Sequence, residues 1–194
     1  MKFTLSILGL LLATSIFAQS EIDYREPLTY DDNGAVVFSK IMKFPDKSKS
    51  ELFALGQEWF IKKFLFGSET MEIENEEIGK LMKRGYFPYR TNSIMQELNG
   101  ELTHIISISI KDGKIKVDLE ELYIVGPVTI ITAVDQVYFP RSAHDVFGDD
   151  ALYKRNGKAR KVRRRHKEAV LKYWYDTLNS IQSFMASAED NADW

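Results

Sequence analysis

The chain has 194 residues, of which 44% are hydrophobic and 12% aromatic, and its formal net charge is −2 at pH 7. This length suits one globular domain with a targeting segment, and the apolar content is enough for a sizeable core. Because the sequence contains no cysteine, it excludes disulfides, cysteine nucleophiles and thiolate metal sites.

The first 18 residues have the pattern of a secretory signal peptide. Lys2 precedes an uncharged apolar run, and Ser15 and Ala18 are the small residues that a signal peptidase reads. The run is shorter than the ~20 apolar residues that span a bilayer, which favours cleavage near Ala18 over a permanent anchor. The sequence therefore predicts export to the periplasm or the extracellular space. A lipoprotein is excluded, because that route needs a cysteine.

The rest of the chain divides into three parts by composition. Residues 19–34 are polar and end in the turn-forming sequence Asp-Asp-Asn-Gly, which predicts a flexible lead-in. Residues 35–188 carry the periodic apolar patterns of a single domain, and residues 189–194 form an acidic tail.

The domain begins with a predicted strand and a predicted helix. Residues 35–44 are rich in β-branched and apolar residues, and Pro45 ends this strand. Ser48 or Ser50 can cap the following helix, and Glu51 stands three residues after Ser48, which is the capping-box spacing. Apolar residues then recur at helical spacing, which predicts a helix that packs on a sheet.

An antiparallel region follows. Residues 77–86 alternate moderately and predict a strand, and residues 102–110 alternate with isoleucine on one face. Asp112-Gly113 is the dipeptide that a tight hairpin prefers, and residues 115–119 alternate again behind it. Residues 128–134 are almost continuously β-branched and predict a further strand, buried on both faces.

The last predicted element is a long amphipathic helix. Residues 140–157 mix turn formers with acids and aromatics. The helix then begins at Val162 or Lys167 and ends near Ala188, with an apolar stripe along one side. The predicted fold class is therefore α+β: a curved antiparallel sheet of about five strands with two packed helices, in the order strand, helix, strands, helix.

Several groups of residues carry a resemblance to a known family between residues 35 and 124. They are Val36-Val37-Phe38 with Lys40, Ser50-Glu51-Leu52-Phe53, Glu58-Trp59-Phe60, Gly79-Lys80 with Gly85, and residues 108–115. With the secretion signal in front, the sequence resembles the bacterial secreted family known as domain of unknown function 4468. The resemblance implies a TATA-binding-protein-like or helix-grip-like fold. It implies no activity, and despite the name of the fold it implies no DNA binding.

Residues 154–167 form a basic run with nine Lys or Arg in fourteen positions and no acid. Nucleic-acid modules usually interleave cations with stacking aromatics, which this run lacks, so nucleic acid is not the expected partner. One interpretation is a solvated segment that is neutralised by the acidic remainder of the chain, including Asp145, Asp149 or Asp150. The other is a surface that binds an anionic envelope component through Arg160, Lys161, Arg163, Arg164 and Arg165.

The histidines and carboxylates give weak catalytic signals. His104, His144 and His166 do not have the spacing of metal ligands, so no metal site and no cofactor are predicted. His104 shares strand parity with inward-facing isoleucines. His144 and Asp145 are adjacent, but no serine lies in the sequence context of a nucleophile. The glutamate clusters beside the predicted turns are typical of solvated rims.

Three functional hypotheses follow. The leading one is a secreted, non-enzymatic binding or interaction module, whose partner is a small apolar ligand or an anionic envelope component. Trp59, Phe60, Trp174 and Phe184 either line its pocket or fill the core. The first alternative is a hydrolase of envelope components that uses carboxylates or His144. The second is a structural protein that docks on an anionic surface. Whether the protein is an enzyme is left open.

Overall fold

The structure is a computed structural model that describes residues 23–64, 72–92, 97–125 and 141–187. At residues 89–92, 97–100 and 187 only the backbone is described. The predicted signal peptide, the acidic tail and the strand expected at residues 128–134 lie outside the described residues. The boundaries of the expected domain therefore stay predictions.

An antiparallel sheet forms one layer of the fold. Its strands run in the order β1-β2-β6-β5-β4-β3, and β7 pairs with β6. This confirms the α+β class. The described sheet has seven strands, more than the five expected, because three of them have only two or three residues and carry no periodic signal. The strands are β1 (Thr29–Tyr30), β2 (Val36–Lys43), β3 (Ile73–Asn75), β4 (Lys80–Asn92), β5 (Glu97–Lys111), β6 (Lys114–Val125) and β7 (Arg141–Ser142).

The helices form the second layer. They are α1 (Lys49–Lys63), α2 (Ala143–Phe147), α3 (Asp149–Leu152) and α4 (Lys161–Ser187). Ser48 caps α1 through a complete capping box with Glu51, as the spacing predicted. The short helices α2 and α3 occupy the segment that was expected to hold turns. Among the described residues no helix is both long and apolar enough to cross a membrane.

The two faces of the sheet differ in their surroundings. Side chains alternate along each strand, and one set, the inner face, packs against α1 and α4. Burying each large apolar side chain there stabilises the fold by about 1.5–3 kcal/mol. The opposite set forms an open face that no described helix covers. The inner layer includes Leu81, Leu102, Ile106, Ile108, Val117, Leu119, Val170 and Ile181, all fully buried.

The β5–β6 hairpin is tied to the start of α1. Gly113 has φ 70°, the left-handed conformation that the predicted Asp-Gly turn requires. The Asp112 carboxylate accepts a 2.8 Å hydrogen bond from the backbone N–H of Lys49. Further along the hairpin the register shifts between Thr103 and Ile105, and Glu121 on β6 has φ 51°. This bulge changes the side-chain alternation of β6 and brings Leu122 and Ile124 to the core.

Candidate functional site

The four aromatic residues proposed to line a pocket lie between the helices and the sheet. Trp59, Phe60 and Trp174 are each at most 4% exposed, and Phe184 is partly buried. The rings of Trp59 and Phe60 meet edge to face at 5.0 Å, and the indole N–H of Trp59 donates a 3.1 Å hydrogen bond to the Ser180 hydroxyl. None of the three cavities described in this structure is lined by them. A pocket lined by these side chains stays a prediction.

The helical part of the basic run makes internal contacts. Arg163 donates from Nη1 to the backbone oxygens of Asp145 at 2.7 Å and Val146 at 3.2 Å. Arg164 forms an ion pair with Glu168 at 3.2 Å. The Arg163 hydrogen bonds join α4 to α2, whereas the Arg164 ion pair lies within α4. Two of the five cations that were proposed to bind an anionic surface are therefore engaged.

The lead-in residues also contact this helix. Lys167 is only 1% exposed, and its ammonium donates a 2.6 Å hydrogen bond to the backbone oxygen of Glu26. The hydroxyl of Tyr175 donates to the Glu26 carboxylate at 2.6 Å, and the guanidinium of Arg164 lies 5.0 Å from the centre of the Tyr24 ring. Burial lowers the pKa of Lys167, which the carboxylates of nearby acids partly oppose.

The first part of the basic run forms a separate surface feature, the basic turn, residues 154–161. A bridge between Tyr153 and Ala159 closes it, the backbone N–H of Lys154 donates to the Lys158 oxygen at 3.0 Å, and Gly157 has φ 74°. Its five cations are exposed: Lys154, Arg155, Lys158, Arg160 and Lys161. Within the described chain, none of these five forms an ion pair.

The basic turn leads into the positive end of α4. The first turn of α4 contains no acidic residue, although the unpaired N–H groups at a helix start favour negative charge. The cations around the start of α4 repel one another. Burial and the charges of Arg160 and Arg141 lower the pKa of Arg163. Burial and the charges of Arg163 and Arg141 lower the pKa of His166 to about 4, so its imidazole is neutral at pH 7. Arg165 is half-buried in the same turn.

A polar cluster lies on the inner face, between β4, β5 and α4. The hydroxyl of Tyr173 lies 2.8 Å from Nε2 of His104, and Nδ1 of His104 lies 3.3 Å from the Leu102 oxygen. Neutral imidazole satisfies both contacts if Nδ1 donates to the carbonyl and Nε2 accepts from the hydroxyl. His104 is fully buried, and burial lowers its pKa to about 4 against the opposing effect of the Leu102 carbonyl. Burial raises the pKa of Tyr173.

Lys83 lies on the same face of β4 and is 7% exposed. Its ammonium stands 5.0 Å from the centre of the Phe64 ring. The neighbouring residue Gly85 leaves no room for a side chain, because a Cβ at this position would lie 2.9 Å from the Phe64 ring and 3.0 Å from the His104 ring. The parity of His104 was visible in the sequence, but its partner Tyr173 was not.

The open face of the sheet carries a row of lysines. The strand register places Lys43 opposite Lys114, and Lys114 opposite Lys111, at the end where β5 turns into β6. In the next row Ile41 is opposite Lys116, and Lys116 is opposite Ser109. A groove of about 350 Å³ lies here, the lysine groove, lined by Ile41, Ser109, Lys111, Lys114, Ile115 and Lys116.

The other chemical signals lead to structural contacts. Ser142 caps α2 by accepting a 3.2 Å hydrogen bond from the backbone N–H of Asp145, and the Ser142 hydroxyl lies 2.7 Å from the Asp145 carboxylate. The His144 ring lies 5.8 Å from the Tyr30 ring. Glu121 pairs with Arg84 at 3.0 Å. Among the residues with described positions, no group of three His, Cys, Asp or Glu side chains is arranged to hold a metal ion.

Comparison with known families and structures identifies the central part of the chain. Residues 38–124 match the family model described as "Domain of unknown function (DUF4468) with TBP-like fold". This segment resembles the domains of that family. The resemblance seen in the sequence is therefore confirmed, and so is the fold that it implied.

Two solved structures have a fold similar to that of this chain. One is a DUF4468 family protein from Bacteroides ovatus, with a TM-score of 0.64, 15% identity, and coverage of 81% of this chain and 90% of that chain. The other is a TBP-like protein from Parabacteroides distasonis, with a TM-score of 0.60, 16% identity, and coverage of 80% and 96% respectively. No curated protein matches significantly.

The DUF4468 match divides the candidate features into two groups. The lysine groove, Lys83 and His104 lie inside residues 38–124. The basic turn and α4 lie outside, so they are not defined by the family match. Sequence reasoning did not find the lysine groove, because Ile41 on β2 joins the lysines of the β5–β6 hairpin only through long-range strand pairing.

Proposed function

We propose that this protein is an exported, non-enzymatic binding module that docks on anionic lipid headgroups of the bacterial cell envelope. The observation that carries the proposal is the basic turn, with five exposed cations and no ion pair to any of them within the described residues. The pattern of the first 18 residues supports export.

The geometry of the basic turn suits a surface contact. Its backbone hydrogen bonds and the bridge to Ala159 hold the turn, so the five cations do not have to be ordered separately on binding. Cations near an anionic membrane contribute about 1 kcal/mol each. An anion would also relieve the unfavourable positive charge at the start of α4.

Sedimentation with vesicles tests the proposal. The chain from residue 19 is mixed with phosphatidylglycerol or phosphatidylcholine vesicles at low and high salt. The triple variant Arg155→Gln, Lys158→Gln, Lys161→Gln should bind the anionic vesicles roughly 100-fold more weakly, since three contributions of about 1 kcal/mol are lost. High salt should weaken wild-type binding as well, because exposed charges are screened.

A charge-matched control separates the turn from net charge. Lys40, Lys63 and Lys172 are exposed and lie on β2, α1 and α4, away from the turn. Their triple replacement by Gln removes the same charge and should leave sedimentation close to wild type. Equal losses in the two triple variants would overturn the proposal, and so would binding to a soluble acidic polysaccharide without binding to vesicles.

The hydrolase alternative has less support from the geometry. The carboxylate of Asp145 is engaged by Ser142, so it is not turned toward His144 as a catalytic partner. Glu74 accepts a hydrogen bond from Gln57, and Glu121 pairs with Arg84. These contacts account for Asp145, Glu74 and Glu121 without catalysis and leave the binding module as the better-supported function.

A further inference from the structure

The lysine row places like charges directly opposite one another on neighbouring strands, an arrangement that usually destabilises a sheet. Lys43, Lys114 and Lys111 stand directly opposite one another on β2, β6 and β5. Opposite residues of antiparallel strands are about 4.5–5.5 Å apart at Cα, and like charges at this separation are destabilising. The row therefore weakens the sheet unless something negative offsets it.

No described acid forms an ion pair with these three lysines. The nearest carboxylate in sequence, Asp112, accepts its hydrogen bond from the backbone of Lys49 at the start of α1. Asp118 on the open face pairs with Lys116 at 2.9 Å and accepts a 2.6 Å hydrogen bond from Ser39. Across residues 23–64, 72–92, 97–125 and 141–187, the three lysines of the row form no ion pair.

The lysine groove adds an apolar site beside these charges. Ile41 stands at its wall with 60% of its surface exposed, which is high for a β-branched apolar residue on a sheet. The stems of Lys111, Lys114 and Lys116 supply further apolar surface, because lysine packs its methylenes while its ammonium stays in water. Its volume of about 350 Å³ lies within the range of small-molecule sites.

We propose that the lysine groove binds an amphipathic organic anion, with the carboxylate against Lys111 and Lys114 and the apolar body against Ile41. The charge row selects the negative headgroup, and the exposed isoleucine with the lysine stems selects the apolar part. Ser109, on the lining, offers a hydroxyl to the headgroup. This site is separate from the basic turn and does not depend on docking to lipid.

Titration with decanoate, followed by ¹⁵N–¹H correlation spectra of the chain from residue 19, tests the site. Acetate supplies the headgroup alone, and decyltrimethylammonium supplies the same apolar body with the opposite charge. The proposal expects saturable shifts at the amides of Ser109 and Lys116 with decanoate. The affinity obtained from these titrations should be at least about tenfold lower for each of the other two probes.

Two variants locate the contacts. The double variant Lys111→Gln, Lys114→Gln should weaken decanoate about tenfold or more, and Ile41→Ser should do the same through the apolar contact. Ile61, on α1, is 63% exposed and lies on another surface, so Ile61→Ser is the matched control and should keep wild-type binding. Each variant should keep a dispersed spectrum, because the replaced side chains are exposed.

The results separate the two proposals. Equal binding of decanoate and decyltrimethylammonium, or equal losses in Ile41→Ser and Ile61→Ser, would overturn the groove proposal. So would shifts confined to residues outside the groove. The double lysine variant should still sediment with phosphatidylglycerol vesicles, since the basic turn is unchanged. A failure of vesicle binding in the wild type would reject the lipid-docking function and leave the decanoate result standing.

Discussion

Lowering the pH from 7 to 5 is expected to destabilise the protein through His104. Burial holds the pKa of this histidine at about 4 in the folded protein, against an ordinary value of 6.5. Within this interval the unfolded chain binds a proton that the folded protein does not. Stability is therefore lost as the pH falls from about 6.5 to about 4, and the loss is complete below the folded pKa.

The size of the loss follows from these two pKa values. At pH 5 the unfolded histidine is almost fully protonated and the folded one almost neutral, which amounts to about 2 kcal/mol relative to pH 7. The Leu102 carbonyl opposes the effect of burial only in part. The hydroxyl of Tyr173 faces Nε2, and no described carboxylate contributes to the pKa of His104.

Urea unfolding at several pH values, monitored by far-ultraviolet circular dichroism, measures this effect. His104→Gln removes one titrating group and keeps an acceptor for the Tyr173 hydroxyl. The stability of the variant should therefore fall less steeply with pH, through the groups that remain, such as His166. The test compares how steeply the free energy of unfolding falls with pH. Between pH 7 and pH 5 it should fall by about 2 kcal/mol more in the wild type than in the variant. Parallel pH profiles would refute a neutral, buried His104. His166→Gln serves as a comparison, because the pKa of His166 is lowered in the same direction.

Three further substitutions test local features of the fold. Tyr173→Phe leaves the buried imidazole without its donor and should cost about 1–3 kcal/mol, measured as a lower urea midpoint with an unchanged m-value. Gly79→Ala puts a Cβ 2.4 Å from a backbone oxygen of β5 at φ 65°, whereas Gly157→Ala at φ 74° meets nothing within 4 Å. The first should therefore lower the melting temperature clearly more than the second, and equal effects would argue against the close approach. Ser48→Ala removes the capping box of α1 and should cost about 1 kcal/mol in the same measurement, while no change would show that the cap contributes nothing.

The parts of the fold that could be predicted are those with local causes. The capping box needs only residues three apart, and the tight turn at Asp112-Gly113 needs only one dipeptide, so both were visible in the sequence. The start of α4 was expected at Val162 or Lys167 and lies at Lys161. Helix ends depend on few residues, so they are usually located to within a few positions.

The parts that could not be predicted depend on contacts between distant residues. His104 and Tyr173 are 69 residues apart, and Lys167 and Glu26 are 141 apart. No periodic pattern announces such pairs. Lys83 is a similar case, because a lysine in an alternating strand is normally assigned to the wet face, whereas the register places it with Leu81 against the helices.

The basic run shows why charge composition alone could not decide its role. If the basic run served only to stabilise the fold, all its cations would contact other groups of the protein. If it served only to bind an anion, all of them would be exposed. The structure divides the run at the start of α4: Arg163 and Lys167 donate to backbone oxygens, whereas the five cations of the basic turn contact no described carboxylate. Even the expected neutralising contact at Asp145 is made through its backbone oxygen, because its carboxylate is engaged by Ser142. The cations of the basic turn therefore remain available to an external anion, and salt should act on that interaction without loosening α4.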